Sequence, residues 1–293
     1  MALEFQQLIY ERPAPHVARI VMNRPDKRNA QGIVMTVELE AALKHANHDP
    51  EVKVIILAGA GDHFSSGHDL SGTEPRAPSE AQSQSHWGDF DGPGWEGSYS
   101  REKELYYEIT ERWRNCPKPT IAEVQGSCIM GGNMLAWACD LIVCADDARF
   151  IDVCGDMAMP GLEWAGYAWE LGPRKAKEWL FTGGALSAQD AERRGMVNHV
   201  VARAELSRLT LELAQRIAEK NRFALKLMKE AVNGVQDAAG RRQSMALAFA
   251  LHQVGHMQNM LVSGLPIDVS KLAPAIQERM RARGVRTSQP DPA

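Results

Sequence analysis

The sequence has 293 residues and no run of about 18 uninterrupted apolar residues, which is what a membrane-spanning helix needs. The nearest approach, residues 120–145, is broken by Glu123, Gln125, Asn133 and Asp140. The opening stretch lacks a basic segment leading into an apolar core, so no secretory leader is expected. There is no surplus of positive charge either. Lys and Arg number 33 against 37 Asp and Glu, a formal net charge of -4, which argues against nucleic acid as the main partner. Cys116, Cys128, Cys139, Cys144 and Cys154 show no CxxC spacing, so reduced, buried thiols in a cytoplasmic protein are expected.

Several chemical signatures are also missing. Gly59-Ala60-Gly61 follows an apolar run, but Phe64 stands where a dinucleotide fingerprint has its third glycine. There is no GK[ST] phosphate loop and no GxSxG nucleophile elbow. His252 and His256 stand at i,i+4, and His45 and His48 at i,i+3. Neither pair has the Glu of HExxH or an obvious third ligand, so no metal is expected. No separate cofactor is expected.

What is present is an alternation of strand and helix signals. Leu8–Tyr10 and Val17–Met22 read as strands around a Pro-rich turn, and Ile33–Asn47 has helical periodicity. A short buried strand starting at Val52 follows. Residues 71–100 are rich in Gly, Ser, Pro and Gln and read as a mobile loop. Its aromatics Trp87, Phe90, Trp95 and Tyr99 pack either on a substrate tail or on their own domain. Arg101–Asn115 reads as a helix, Thr120–Val124 as a strand, Gly131–Ala138 as a helix and Leu141–Cys144 as a strand. This order predicts an α/β fold with parallel strands. From Ser187 onward the chain reads as helical: Ser187–Arg194, Ala204–Lys220, Arg222–Val232, Gly240–Ser263 and Val269–Arg283. The expected organisation is a core over 1–200, a helical region over 201–285 and a frayed tail over 286–293.

Two segments carry the chemistry. His63–Leu70 follows a buried strand, and Val124–Leu135 runs through Gly126, Gly131 and Gly132 into a helix. A helix N-terminus offers free N–H groups and a positive dipole end, and glycine lets a ligand approach the backbone closely. Two such turns facing one another would make an oxyanion hole.

These residues resemble the crotonase, or enoyl-CoA hydratase/isomerase, superfamily over roughly residues 5 to 235. Asn23–Ala30 is similar to its NRP-x-x-x-NA loop, Phe64–Leu70 to its F-x-x-G-x-D-[LI] turn, and Lys118–Ala122 with Gly126–Gly132 to KP-x-IA…G-x-x-x-GG. Cys139–Val143, Ala148–Phe150, Pro160-Gly161, Gly172–Ala176, Phe181–Gly183, Ser187–Ala191 and Gly195–Asn198 continue the series in order. The resemblance implies a crotonase-like spiral of ββα units with a helical C-terminal region that assembles a homotrimer or a dimer of trimers. It implies an acyl-CoA thioester as partner, with coenzyme A arriving as part of the substrate. The thioester oxygen would accept hydrogen bonds from the N–H groups of His68 and Gly131. Lys27, Arg28 and Ala30 would lie near the CoA adenine and phosphates, and Ser66, Asp69 and Leu70 would line the binding turn. Because substitution of the side chain leaves the His68 N–H in place, His68→Ala is expected to be mild.

The resemblance implies two water-handling glutamates, and here it finds Met134 and Cys154. A thioether has no proton to exchange, and burial would raise a cysteine's pKa. Glu163 is therefore the expected general acid/base. Its neighbours Leu162, Trp164 and Ala165 form an apolar shell expected to raise its pKa. Asp152 and Asp156 are the next candidates. Hydration of an enoyl-CoA leads, followed by double-bond isomerisation or ring-opening C–C hydrolysis, and then by a catalytically inactive acyl-CoA binder.

Overall fold

Every position of Val54–Gly59 is buried, as a strand flanked by parallel neighbours and covered on both faces requires. The computed structural model describes residues 4–71, 86–88 and 90–284. Among these, β1 (Leu8–Ala14), β2 (Val17–Met22), β3 (Val54–Gly59), β4 (Thr120–Val124), β6 (Leu141–Ala145) and β9 (His199–Val201) form one sheet in that order. Only β1 and β2 are antiparallel, and the remaining neighbours are parallel. The register sets Ile20 beside Leu57, Leu57 beside Ala122 and Ala122 beside Ile142, a continuous apolar row. A second sheet holds β5 (Ser127–Ile129), β7 (Arg149–Asp152) and β8 (Gly184–Ser187), with Cys128 beside Phe150 and Phe150 beside Leu186. The result is the mixed α/β architecture with a helical C-terminal region that the sequence predicts.

Three expectations need correction. After α1 (Ile33–His48), the helix expected from Arg101 begins five residues earlier: α2 (Glu96–Glu102) leads into a π-helical stretch (Lys103–Glu108) and then α3 (Ile109–Arg114). The expected loop 71–100 thus contains a helical turn, while residues 72–85 and 89 lie outside the described residues. The helical C-terminal half is interrupted by β9, which closes the main sheet across the expected boundary at 200/201. The helix expected over Val269–Arg283 starts at Pro274, because proline fits a first turn whose N–H groups have no partner anyway. The expected frayed tail, 286–293, lies outside the described residues.

The aromatic cluster docks on its own chain. Tyr99 packs 5.2 Å from Phe249, and Trp95 Nε1 donates to Gln253 Oε1 at 2.7 Å. Both partners lie on the long helix Arg241–Ser263. Trp95 also lines a large cavity described below.

Candidate functional site

The site begins where β3 ends. Asn29 is fully buried in a left-handed backbone conformation (φ 53°). Its amide donates to Ala60 O and His63 O, each at 2.9 Å, and its own carbonyl accepts from Arg24 N–H. This fixes the start of the turn 63–70. Ser65 then pairs with β5: Ser65 N–H donates to Ser127 O, and Ile129 N–H to Ser65 O. Gly67 follows at φ +82°, where a Cβ would stand 2.6 Å from Ile129 O and 3.0 Å from Gly131 N. Only glycine permits that approach. His68 therefore emerges beside Gly131, the first residue of α4 (Gly131–Ala138), whose early N–H groups have no partner within the helix. The two turns expected to supply the oxyanion donors abut each other.

The residues expected to hold CoA group around the same turn. Ser66 N–H donates to Arg28 O, Asp69 N–H to Gln31 O, and the Arg24 guanidinium binds both Ala30 O (2.8 Å) and the Asp69 carboxylate (3.0 Å). Ser66, Asp69 and Leu70 line the cavity, whereas Lys27 and Arg28 are exposed cations on the rim loop. Burial pushes the Asp69 carboxyl up. Hydrogen bonds from Ser71 and the Arg24 guanidinium outweigh it and hold Asp69 below the ordinary carboxylate range.

Glu163 is buried and lines the cavity, with Oε1 3.4 Å from His68 Nδ1 and 3.6 Å from His252 Nε2. The expected upward pKa shift is not found. Burial does push up, but the flanking imidazoles of His68 and His252 overcome it and lower Glu163, keeping it ionised. The apolar neighbours in sequence were the wrong neighbours to count. The His68 ring also stacks on Tyr106 at 3.8 Å, so its side chain has two partners, Glu163 and Tyr106.

The other carboxylates sit elsewhere. Asp152 is buried outside the cavity lining, accepting from Tyr167 OH (2.6 Å) and Cys154 N–H (2.9 Å). Asp156 forms a half-exposed ion pair with Lys271. Met134 is buried behind the site next to Gly131 and His68. Cys154 lines the cavity, but burial raises its thiol well above the ordinary value, so it stays protonated.

The cavity itself encloses about 850 Å³. Its walls are largely apolar and rich in methionine, including Met157, Met159, Met257 and Met260. A polar cluster of Glu102, His252 and His256 interrupts them. Read in sequence, the histidine pair lacked a third ligand. Folding brings Glu102 from α2, 150 residues away from His252, into ligand range of both rings. The only sequence signal was the i,i+4 spacing that sets both histidines on one helix face.

With the geometry described, comparison with known proteins becomes informative. The family model for enoyl-CoA hydratase/isomerase matches residues 13–265. The Mycobacterium tuberculosis protein EchA13, provisionally named an enoyl-CoA hydratase, is 42% identical over 86% of this chain and 81% of its own length. The 4-chlorobenzoyl coenzyme A dehalogenase-2 of an Arthrobacter species is 30% identical over 91% of this chain and 89% of its own. The crystal structure of a provisionally named enoyl-CoA hydratase from Mycobacterium smegmatis superposes with a TM-score of 0.81 at 46% identity, over 90% of this chain and 99% of that one.

Proposed function

Because the chain belongs to the enoyl-CoA hydratase/isomerase family, we propose that it is an acyl-CoA lyase that hydrates an enoyl-CoA, or dehydrates the product, with Glu163 as its one catalytic carboxylate. The observation that supports this reading is Glu163 itself, buried in the cavity beside the turn that presents the His68 N–H, with Oε1 3.4 Å from His68 Nδ1. The thioester carbonyl accepts hydrogen bonds from the N–H groups of His68 and Gly131. A water molecule adds to the β-carbon while the Glu163 carboxylate takes its proton. The electron pair of the double bond moves onto the thioester oxygen, giving an enolate that the two donors stabilise. Glu163, now a carboxylic acid, returns the proton to the α-carbon as the enolate collapses. One carboxylate therefore serves as base and then acid, and the net change is addition of water. The imidazole of His68 beside it favours the ionised form that begins the cycle.

Double-bond isomerisation is the second reading, favoured by Met134 and Cys154 standing in place of a second carboxylate. It would use Glu163 to move a proton along the acyl chain without water. The wide methionine-rich cavity supports a bulky or cyclic acyl group in either case, since methionine adapts to irregular shapes. Lys27 and Arg28 are proposed to face the CoA phosphates. A role in fatty-acid or related acyl-CoA degradation, in the cytoplasm, agrees with five free, buried cysteines and with no described helix being long and apolar enough to cross a membrane.

The test follows loss of the conjugated enoyl-thioester absorbance on adding enzyme to a series of linear and cyclic enoyl-CoA esters. Glu163→Gln is expected to lower turnover about 10²–10⁴-fold, the usual contribution of a general acid/base. Unchanged turnover would remove Glu163 from the mechanism. Exchange of solvent deuterium at the α-carbon without water addition would select isomerisation.

A further inference from the structure

The cluster beside Glu163 contains more polar chemistry than thioester binding requires. His252 and His256 are each one-twentieth exposed, and Glu102 is less than a tenth exposed. His252 Nδ1 lies 2.7 Å from Gly161 O, and His256 Nδ1 lies 2.7 Å from Pro266 O. A carbonyl only accepts, so both Nδ1 atoms carry the proton. Each Nε2 is then either a bare lone pair or the second N–H of an imidazolium.

Both Nε2 atoms point at carboxylate oxygens, but at an unusual distance. His252 Nε2 is 3.6 Å from Glu163 Oε1 and 3.7 Å from Glu102 Oε2, and His256 Nε2 is 3.5 Å from Glu102 Oε1. Charge-assisted hydrogen bonds close to about 2.7–2.9 Å. His252 Nε2 has no hydrogen-bond partner among the described residues. Two imidazolium rings would also repel, because the ring centres are only 4.4 Å apart. One cation between the rings resolves all three observations. Donor atoms about 2.0–2.1 Å from a tetrahedral ion stand roughly 3.4 Å from one another, near the observed spacing. One donor atom from each of the three residues lies within 4.8 Å of the other two.

The supports behind the ligands match those of a metal site. Each imidazole has its outer N–H held by a backbone carbonyl, which fixes the tautomer that leaves Nε2 free. The carboxylate is held by Gln253 Nε2 at 2.7 Å, and Gln253 is held in turn by Trp95 Nε1 at 2.7 Å. Glu102 is also the last residue before the π-helical stretch, a distortion that often marks functional positions.

We propose that Glu102, His252 and His256 bind one divalent transition-metal ion of the zinc class, with a remaining coordination position open to the acyl cavity. Two imidazoles and one carboxylate are a borderline-soft set that suits Zn²⁺ or Co²⁺ and disfavours Mg²⁺, which demands oxygen ligands. An ion there would hold an oxygen of the acyl group away from the thioester.

The experiment uses untagged full-length protein, stripped with chelator and titrated with Co²⁺ under visible absorption. The expected result is one equivalent bound per chain, with the intense bands of four-coordinate cobalt, displaced by Zn²⁺ and not by Mg²⁺. His256→Ala is expected to abolish the bands, with circular dichroism reporting that the variant folds. Glu102→Gln, which preserves shape, is expected to weaken binding by a measurable factor even where the alanine variant does not fold. No stoichiometric binding by the wild-type protein, bands that survive in folded His256→Ala, or equal binding of Mg²⁺ would each overturn the proposal. The readout is the metal, so its failure is distinct from a failure of the hydration reading.

Discussion

Gly131 shows what a single residue decides. A proline there keeps a residue type that the first turn of a helix accepts, but removes the N–H. Gly131→Pro is expected to cut turnover about 10²–10³-fold, the usual cost of one oxyanion donor, measured beside a thermal melt that reports folding. It also brings a Cβ to 2.6 Å from His68 Nε2, so Gly131→Ala, which keeps the N–H, is the control that isolates this clash. Asp69 decides part of the acid stability. Its folded pKa lies below its unfolded value of 3.8, so its stabilising contribution is present above that value and is lost as pH falls through the folded pKa. Asp69→Asn is expected to flatten the acid limb of a stability-versus-pH curve between those two values. A curve that keeps its slope would show that the Arg24 pair is idle.

Elements are joined here by a few buried polar residues rather than by apolar contact alone. Asn29 fastens the rim loop to the turn after β3, and Asn29→Ala would leave Ala60 O and His63 O without their donors. A loss of about 2 kcal/mol or more in denaturant unfolding is expected, with turnover falling because the 63–70 turn loses its anchor. Arg241 performs a similar task for the long C-terminal helix. It is almost fully buried, pairs with Glu111 at 3.0 Å, and lies 4.7 Å from the ring of Trp164. Trp164 Nε1 donates to that same Glu111 carboxylate at 2.7 Å. This clamp sets the helix carrying His252 and His256 against the turn carrying Glu163.

At the scale of the whole molecule, the C-terminal helices leave apolar side chains uncovered. Phe223, Val232 and Val235 stand out on Arg222–Ala238, and Leu247, Val254, Leu261 and Val262 on Arg241–Ser263, with Leu261 80% exposed. A subunit contact would cover surface of this kind, and the resemblance to the crotonase superfamily implies a homotrimer or a dimer of trimers. Sedimentation is expected to find an assembly larger than one chain, and the double variant Val232→Glu with Leu261→Glu is expected to shift it toward the monomer. An unshifted profile would place the subunit contact on another surface.

The sequence by itself determined the parts of this protein that local rules govern. Buried strands announce themselves as apolar runs such as Val54–Gly59, and tight turns as glycines whose backbone no other residue can adopt, such as Gly67. That was enough for the α/β class, the two abutting turns and the identity of Glu163 as a buried carboxylate at the site. It was not enough for short strands such as β5 and β9, where three residues carry too little pattern to outweigh a neighbouring helix. Only the tertiary structure decided the charge on Glu163, because the imidazoles that set it arrive from positions 68 and 252. It also decided that Glu102 meets His252 and His256. Electrostatic environment and ligand geometry depend on distance in space, and residues 102, 163 and 252 are neighbours only after the chain has folded.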